Sequence, residues 1–452
     1  MSRKGPTARI CEWVCVTRYQ DIPDEVRQEA LRVLYDTVGG MIASSTLESC
    51  QPIVNLVRQL GGLGECTVVG HPFRAPLLNA ALANGSIGHA DEVDPTSVHG
   101  AGHFAATMVP TALTVGQYVG ASGKTFARAF VLGAEVAARM QSAINAHSDA
   151  RPEFYYSAGA ALGAAVTAGL LLGLDPKKME HALGAAAMGC APLMSLHQEE
   201  LHQIKGLAYS GRTARAGVES ALLAQHDFHA PLEILTTENG FFHAFVGNRE
   251  AGHDVVADLG KEYLMKDLLY KRYSTGGPNL APLYALLQLL KSHKITADDI
   301  VKIEVTGAHG RSVGIDDHHP SIHTETVLCL AAFYGDYTFK HAHDPRYCKD
   351  PRFVAFQKRG PVTIVPREGP ADRAHRLKAA MIVRTRDGSV FKEEVNYPLM
   401  TQPEIEQKFR DLVGLRLDNA QMLNLDRRLK GLENIDNVAK LVSDLEIAYE
   451  VT

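Results

Sequence analysis

The apolar periodicity of this chain changes twice, and that change limits its possible folds more than any other feature. Up to about residue 265, apolar residues recur every three or four positions, the spacing of one buried helix face. Ile22, Val26, Ala30, Val33, Leu34, Val38 and Met41 set the pattern, with Pro23 and Asp24 as a first-turn signature. Asn79 to Gly88, Ala105 to Val119 and Lys124 to Met140 continue it. Asp175-Pro176 reads as an N-cap followed by the first position of a helix reaching about Met188. Gly-Ala runs at 158–169 and 184–191 lack the strand–loop–helix context and the Lys-Ser/Thr ending of a phosphate loop. They read instead as places where helix axes approach closely.

Further on, the period shortens. Leu283 to Ser292 is still helical, and Thr296 with Asp299 predicts a capped turn, but Ile300 to Thr306 alternates apolar and polar as a half-buried strand does. Val362 to Val365 is a second strand. Ala379 to Arg386 and Ser389 to Val395 flank Asp387-Gly388, which predicts a hairpin with a type I′ turn. From Pro403 the helical spacing returns through Ile405, Phe409 and Leu412, and later Val438, Leu441 and Leu445. The expectation is a mainly α chain, with a large all-helical domain built from both ends (1–265 and 403–452) and a smaller inserted α+β lid domain (266–402). A length of 452 residues agrees, being too great for one ordinary core.

Charge narrows the partners. With 46 Lys+Arg against 51 Asp+Glu, the net charge of -5 offers no global field for nucleic acid or an anionic membrane, so neither is expected. A small anionic substrate would have to be held by local cations. The seven cysteines are scattered without a Cys-x-x-Cys pair, which favours reduced thiols. The first twenty residues lack the apolar core of a signal peptide. Ala158 to Leu174 is uncharged but rich in Gly and Ala, so it suits a buried helix better than a membrane span. A cytoplasmic location is expected.

Four segments concentrate reactive side chains. Residues 88–113, GHADEVDPTSVHGAGHFAATMVPTAL, place Asp91, Glu92, Asp94, Thr96, His99 and His103 between two apolar stretches. Carboxylates and imidazoles on a loop held by rigid helices suit proton transfer, while a solvated connection whose acids cap the next helix is the plain alternative. In HQIKGLAYSGRTARAG, Lys205 precedes a helix carrying Arg212 and Arg215. A cation near a helix start opposes the helix dipole; a carboxylate site would explain it, as would a simple surface position. Lys271 and Arg272 precede a Gly-Gly-Pro turn, by itself an ordinary basic loop. Asp316, Asp317, His318, His319, His323, His341, His343 and Asp344 form a cluster that reads either as metal ligands or as polar loop.

The order of the first three segments resembles the MmgE/PrpD family, which includes 2-methylcitrate dehydratase, cis-aconitate decarboxylase and iminodisuccinate epimerase. The resemblance runs from the helix at Asp24 to the hairpin at Asp387-Gly388. It is strongest over 79–120 and 202–245, including GFFHAF at 240–245. HADEVDPT at 89–96 matches the family's HALDYDDT-like run, placing Asp91 or Glu92 near the functional acid and Thr96 at the Thr. His103 falls at the His that follows, Lys205 at the Lys of a KxLH-like element, and Lys271, with Arg272 beside it, at a KRFP-like element. Three places depart from the pattern. Glu153-Phe154-Tyr155-Tyr156 stands where many relatives carry His-Pro, and Ser274-Thr275-Gly276-Gly277 replaces a His after the Lys-Arg pair. HTETVLCLAAFYGD has no Tyr in register with the family's.

The resemblance implies a helical domain with an α+β lid, a homodimer, and an enzyme that needs neither metal nor cofactor. It implies a lyase, dehydratase or decarboxylase, acting on a small di- or tricarboxylic acid; epimerisation or isomerisation of a dicarboxylate at the same site is the alternative. His103 is then the expected acid or base, with Asp91 or Glu92 orienting it or shuttling a proton. Thr96, Lys205, Lys271 and Arg272 are expected to hold substrate, and Tyr155 or Tyr156 to replace the absent His as acid. Two readings lie outside that chemistry: a metal-dependent hydrolase built on the lid histidines, and an inactive binding protein.

Overall fold

A computed structural model describes residues 4–99, 102–147, 156–190, 193–199, 201–307, 319–365 and 377–448, with the backbone alone at 156–157 and 197–198. The chain divides into two compact units, Met1–Leu269 with Gln402–Thr452, and Tyr270–Thr401. Helices dominate and the sheets are small, so the chain is mainly α with a smaller α+β part.

In the first unit the helices are α1 (Pro6–Val16), α2 (Asp24–Ser44), α3 (Gln51–Leu60), α4 (Leu77–Gly88), α5 (Phe104–Val119), α6 (Gly123–Ala146), α7 (Ala160–Leu171) and α8 (Pro176–Met188). Then come α9 (Gln203–Gly206), a π-helical segment (Leu207–Gly211), α10 (Arg212–Gln225) and α11 (Phe241–Val246). Two short antiparallel pairs, β1 (Cys66–Thr67) with β2 (Arg74–Ala75) and β3 (Thr96–Ser97) with β4 (Leu268–Leu269), pin connections between them. Every residue of α7 is buried, and it packs on α5, α6 and α10. Its small residues permit this: a Cβ on Gly163 would come within 2.6 Å of the Gly133 carbonyl oxygen. A valine there would force α6 and α7 apart, costing roughly 1–3 kcal/mol as overpacking does. Asp175 caps α8 as its sequence suggests, its side chain accepting from the Lys178 N–H at 2.8 Å. All seven cysteines are free thiols. Among the described residues no helix is long and apolar enough to cross a membrane.

The second unit holds α12 (Leu280–His293), β5 (Ile300–Thr306), α13 (Thr324–Tyr334), α14 (Phe339–His343), α15 (Pro345–Cys348), α16 (Pro351–Lys358), β6 (Val362–Val365), β7 (Lys378–Thr385) and β8 (Val390–Asn396). The sheet order is β6-β5-β7-β8, with β5 and β6 parallel and the other pairs antiparallel. Ile303, Val305, Met381 and Val383 point from its centre into a core shared with Leu286 and Leu290 of α12, Val327 and Leu328 of α13 and Phe353 of α16. The hairpin forms where its alternation predicts, but its turn is not type I′. That turn needs positive φ at both central residues, and at this loop only Gly388 has it (φ 86°). The Gly388 N–H donates to the Thr385 carbonyl at 3.0 Å, and the Thr385 N–H to the Ser389 carbonyl at 3.0 Å, giving a three-residue loop. The Asp387 carboxylate braces it, accepting from the Thr385 hydroxyl at 2.6 Å and the Ser389 N–H at 3.0 Å.

After the second unit the chain returns to the first through α17 (Gln402–Val413), α18 (Asn419–Lys430) and α19 (Ala439–Ser443). Helix α17 lies along α2, with Phe409 stacked on Tyr35 at a centroid distance of 3.9 Å. The fit is close, since a Cβ on Gly39 would meet the Phe409 ring at 3.0 Å.

Candidate active site

From His89 to Pro95 the segment between α4 and α5 is buried rather than solvated. His89, Asp91, Glu92 and Asp94 are each no more than 2 % exposed, and His103 is 8 % exposed. Nor do its acids cap α5, whose N-cap is His103 with no side-chain cap bond. Three buried carboxylates demand partners, because an unpaired charge in such surroundings would simply take up a proton.

Asp94 receives two of them. Its Oδ2 accepts from His103 Nδ1 at 2.8 Å and its Oδ1 from His89 Nδ1 at 2.9 Å. Burial alone would raise the Asp94 carboxyl, but the fields and hydrogen bonds of His103 and His89 overcome it and hold the carboxyl well below its ordinary range. His89 is driven the other way. Burial, with the Lys205 ammonium nearby, holds its imidazole well below the usual value, so it is neutral near pH 7. With Asp94 ionised, both histidines carry their proton on Nδ1, an assignment made from the hydrogen bonds, and Nε2 of each is a bare lone pair.

Glu92 has a separate set of partners. Its Oε1 is paired with the Lys205 ammonium and lies 3.7 Å from His202 Nε2. The His89 ring stands between the two groups, 4.4 Å from the His103 ring and 5.6 Å from His202 by centroid. Tyr209 closes the cluster. Its ring stacks on His103 at 5.8 Å, and the Lys205 Nζ sits 5.4 Å over it. The side chains of His103 (8 %) and Lys205 (13 %) are the most accessible of the group, against 0–3 % for His89, Asp94, Glu92 and His202.

Lys205 lies in α9, ahead of the helix α10 that carries Arg212 and Arg215, with the π-helical segment between them. The π segment that follows widens the helix around Tyr209, and its carbonyl accepts from the hydroxyls of Thr213 at 2.6 Å and Thr107 at 3.1 Å. Such bulges are frequent at functional sites because they re-aim one side chain without ending the helix. This stretch lies close on α4: a Cβ on Gly206 would come within 3.0 Å of the His89 carbonyl oxygen. His202, at the head of α9, takes a left-handed conformation (φ 61°), a mild strain for a residue without glycine's freedom.

The remaining expected residues fall in several places. Thr96 is half-buried in β3, opposite Leu269, and Asp91 is buried in the same segment as Asp94. Tyr155 lies outside the described residues, and of Tyr156 only the backbone is described, opening a short 3-10 turn (Tyr156–Gly159). Lys271 and Arg272 belong to the second unit. There Lys271 is fully buried, while the Arg272 guanidinium lies 5.6 Å from the Tyr284 ring and 5.4 Å from the Tyr397 ring and donates to the Pro398 carbonyl at 3.2 Å. His89, Asp94, His202 and Tyr209 were not singled out for roles by the sequence. His89 and Asp94 stand inside the HADEVDPT run, so the signal was present for them. The π turn that aims Tyr209 has no period to detect.

Metal chemistry can be weighed on the donor sets. Among the described residues two groups bring donor atoms close enough to share an ion, His89–Glu92–His202 and His89–Asp94–His103. In the second, each imidazole nitrogen is at hydrogen-bond distance from an Asp94 oxygen, shorter than the roughly 3.3 Å between ligands about a tetrahedral zinc with bonds near 2 Å. In the first, the Lys205 ammonium already occupies Glu92 Oε1. Both sets suit protons better than a divalent ion. Asp316, Asp317 and His318 lie outside the described residues. In the second unit His341 Nδ1 accepts from the Thr338 N–H at 3.0 Å, Asp344 caps α15, and His343 Nε2 meets the Ser274 hydroxyl at 3.3 Å.

Known proteins resemble this chain over most of its length. The MmgE/PrpD N-terminal domain matches residues 8–254, and the MmgE/PrpD C-terminal domain matches residues 273–430. A cis-aconitate decarboxylase of Aspergillus terreus is 24% identical, covering 98% of this chain and 96% of its own length. A cis-aconitate decarboxylase-like protein of Aspergillus oryzae is also 24% identical, over 97% of this chain and 96% of its own.

Proposed function

The chain belongs to the MmgE/PrpD family, and on that premise we propose that it is a cofactor-free lyase that dehydrates or decarboxylates a small di- or tricarboxylic acid. The observation that carries the reading is the pairing of His103 with Asp94. A buried carboxylate fixes the proton on Nδ1, leaving Nε2 to take or return a proton, and Asp94 steadies the imidazolium that forms.

The proposed chemistry begins with Lys205, which shares its charge between Glu92 and an incoming substrate carboxylate. His103 Nε2 then removes a proton from the carbon next to a carboxylate, leaving enolate-like charge that the ammonium stabilises. In dehydration the electron pair forms the double bond as the β-hydroxyl leaves as water, taking the proton that His103 has just received. In decarboxylation the order reverses: the carbon–carboxylate bond breaks, CO₂ departs, and imidazolium His103 delivers a proton to the electron pair left behind. Thr96, two residues beyond Asp94, is proposed to hydrogen-bond the substrate. Asp91 and Glu92 keep the local charge balanced against Lys205 and the imidazoles.

We further propose that the protein works as a cytoplasmic homodimer, for which light scattering should return twice the chain mass; a clean monomer at micromolar concentration contradicts that part. The function is tested by incubating chelator-treated protein with cis-aconitate, 2-methylcitrate and related acids and following products by proton NMR. Turnover of at least one acid without added metal is the expected result. Turnover that appears only with added zinc would replace this reading with metal chemistry.

A further inference from the structure

One buried ion pair lies outside this chemistry yet touches the loop that performs it. Lys408 of α17 is 315 positions from Val93, and its Nζ donates to the Val93 carbonyl at 2.8 Å while pairing with Asp36 of α2 at 2.7 Å. The two side chains are 8 % and 0 % exposed. Val93 is the residue between Glu92 and Asp94, so this ammonium grips the backbone at the midpoint of the two functional carboxylates.

Helix α2 is shaped for the contact. Asp36 and Gly40 are four apart and share a face. A Cβ on Gly40 would come within 2.8 Å of the Val93 side chain, so the loop lies almost directly on the helix backbone. Ser49 adds a second anchor, its hydroxyl donating to the Ala90 carbonyl at 2.6 Å. A lysine in a dry interior is costly, and an apolar pair of similar volume would serve packing at least as well. What an apolar pair lacks is a donor for the Val93 carbonyl.

We propose that Lys408, held by Asp36, is a positioning residue that sets the Glu92–Asp94 backbone so that Asp94 meets both imidazoles. The proposal deepens the lyase reading and rests on it for its catalytic consequence, but its geometric part stands without any substrate. Helix α17 thereby carries part of the active-site alignment on a segment that rejoins the first unit after the second has been completed.

Two double variants separate the donor from the charge. Asp36→Asn with Lys408→Met removes charge and donor together. Asp36→Asn with Lys408→Gln removes the charge but retains an N–H for the Val93 carbonyl. The readout is the ¹⁵N spectrum of histidine-labelled full-length protein, with His89 and His103 assigned by single replacements, alongside kcat and KM. The Gln pair is expected to keep the wild-type Nδ1–H tautomers. The Met pair is expected to lose the fixed tautomer of His103 and to lower kcat about ten- to a hundred-fold with little change in KM, as a misplaced group does. Wild-type tautomers in the Met pair overturn the proposal. So does loss of the tautomer in the Gln pair, a result that decides the matter even where the Met pair does not fold. If the wild type turns over none of the acids, the lyase reading fails while the histidine spectra still test the clamp.

Discussion

Histidines gather in both units, but their surroundings differ. In the first unit His89 and His103 share one buried carboxylate, and His202 stands by a second that is paired with Lys205. In the second unit His319 and His343 lie 6.0 Å apart by centroid, His343 meets a serine hydroxyl, and His341 serves as a helix-cap acceptor. The same side chain acquires different abilities. A carboxylate fixes the tautomer of an imidazole and compensates the charge of an imidazolium. Residue type told the two clusters apart poorly at the level of sequence; in the first unit a shared buried carboxylate marks His89 and His103.

The largest effect should come from breaking the carboxylate-bound group. His103→Ala should lower kcat by about 10²- to 10⁴-fold with little change in substrate affinity, the usual worth of a general acid or base. Asp94→Asn should cost nearly as much, because an amide can present the wrong group to Nδ1 and select the wrong tautomer. His319→Ala with His343→Ala should leave kcat within about twofold, as expected of residues outside the transition state. Steady-state kinetics on the accepted acid measures all three. A larger loss from the second-unit pair than from His103 would invert the comparison.

Next in size is Lys205. Its loss removes a charge-assisted contact worth about 1.5–3 kcal/mol, so Lys205→Ala should raise KM by roughly ten- to a hundred-fold. It should lower kcat as well if the ammonium meets charge that grows in the transition state. An unchanged KM would place the substrate carboxylate elsewhere.

The smallest effect concerns stability. His89 is held neutral by burial, and His71, likewise buried, is pushed down to about 4 from 6.5. A depressed folded value means the unfolded chain binds more protons on the acid side, so this stability is complete above pH 6.5 and is lost as pH falls towards 4. Asp94 adds a second loss of the same sign below its unfolded value of 3.8. Thermal unfolding should therefore shift down between pH 6.5 and 4, and His71→Asn should flatten that slope. A slope unchanged in the variant would assign the acid sensitivity to other groups.

The fold was legible where burial follows a period. The helices at Asp24, Leu77, Phe104, Gly123 and Pro176, the strand at Ile300 and the hairpin at 378–396 lie where spacing predicts, and small residues marked the packed α7. The hairpin turn was misjudged because Asp387-Gly388 can serve a two-residue or a three-residue loop, and side-chain bonds from Asp387 decided between them. Within the site, the 88–103 segment stood out by composition, but the division of labour among its acids did not. Asp94 rather than Asp91 or Glu92 contacts His103, a choice made by backbone direction in a segment without regular structure. Lys408 was invisible for a different reason. On an amphipathic helix a lysine reads as solvent-facing, and the acid that draws it inward is on α2, at the other end of the chain.

The central claim is that the first-unit histidine moves a proton at the carbon beside a carboxylate. Its most direct test is solvent-deuterium incorporation into the accepted acid or its product, followed by proton NMR in chelator-treated wild type and in His103→Ala. The account predicts deuterium at that carbon in the wild type and only background exchange in the variant. Exchange at the wild-type rate without His103, or exchange that vanishes on chelation and returns with zinc, would contradict it.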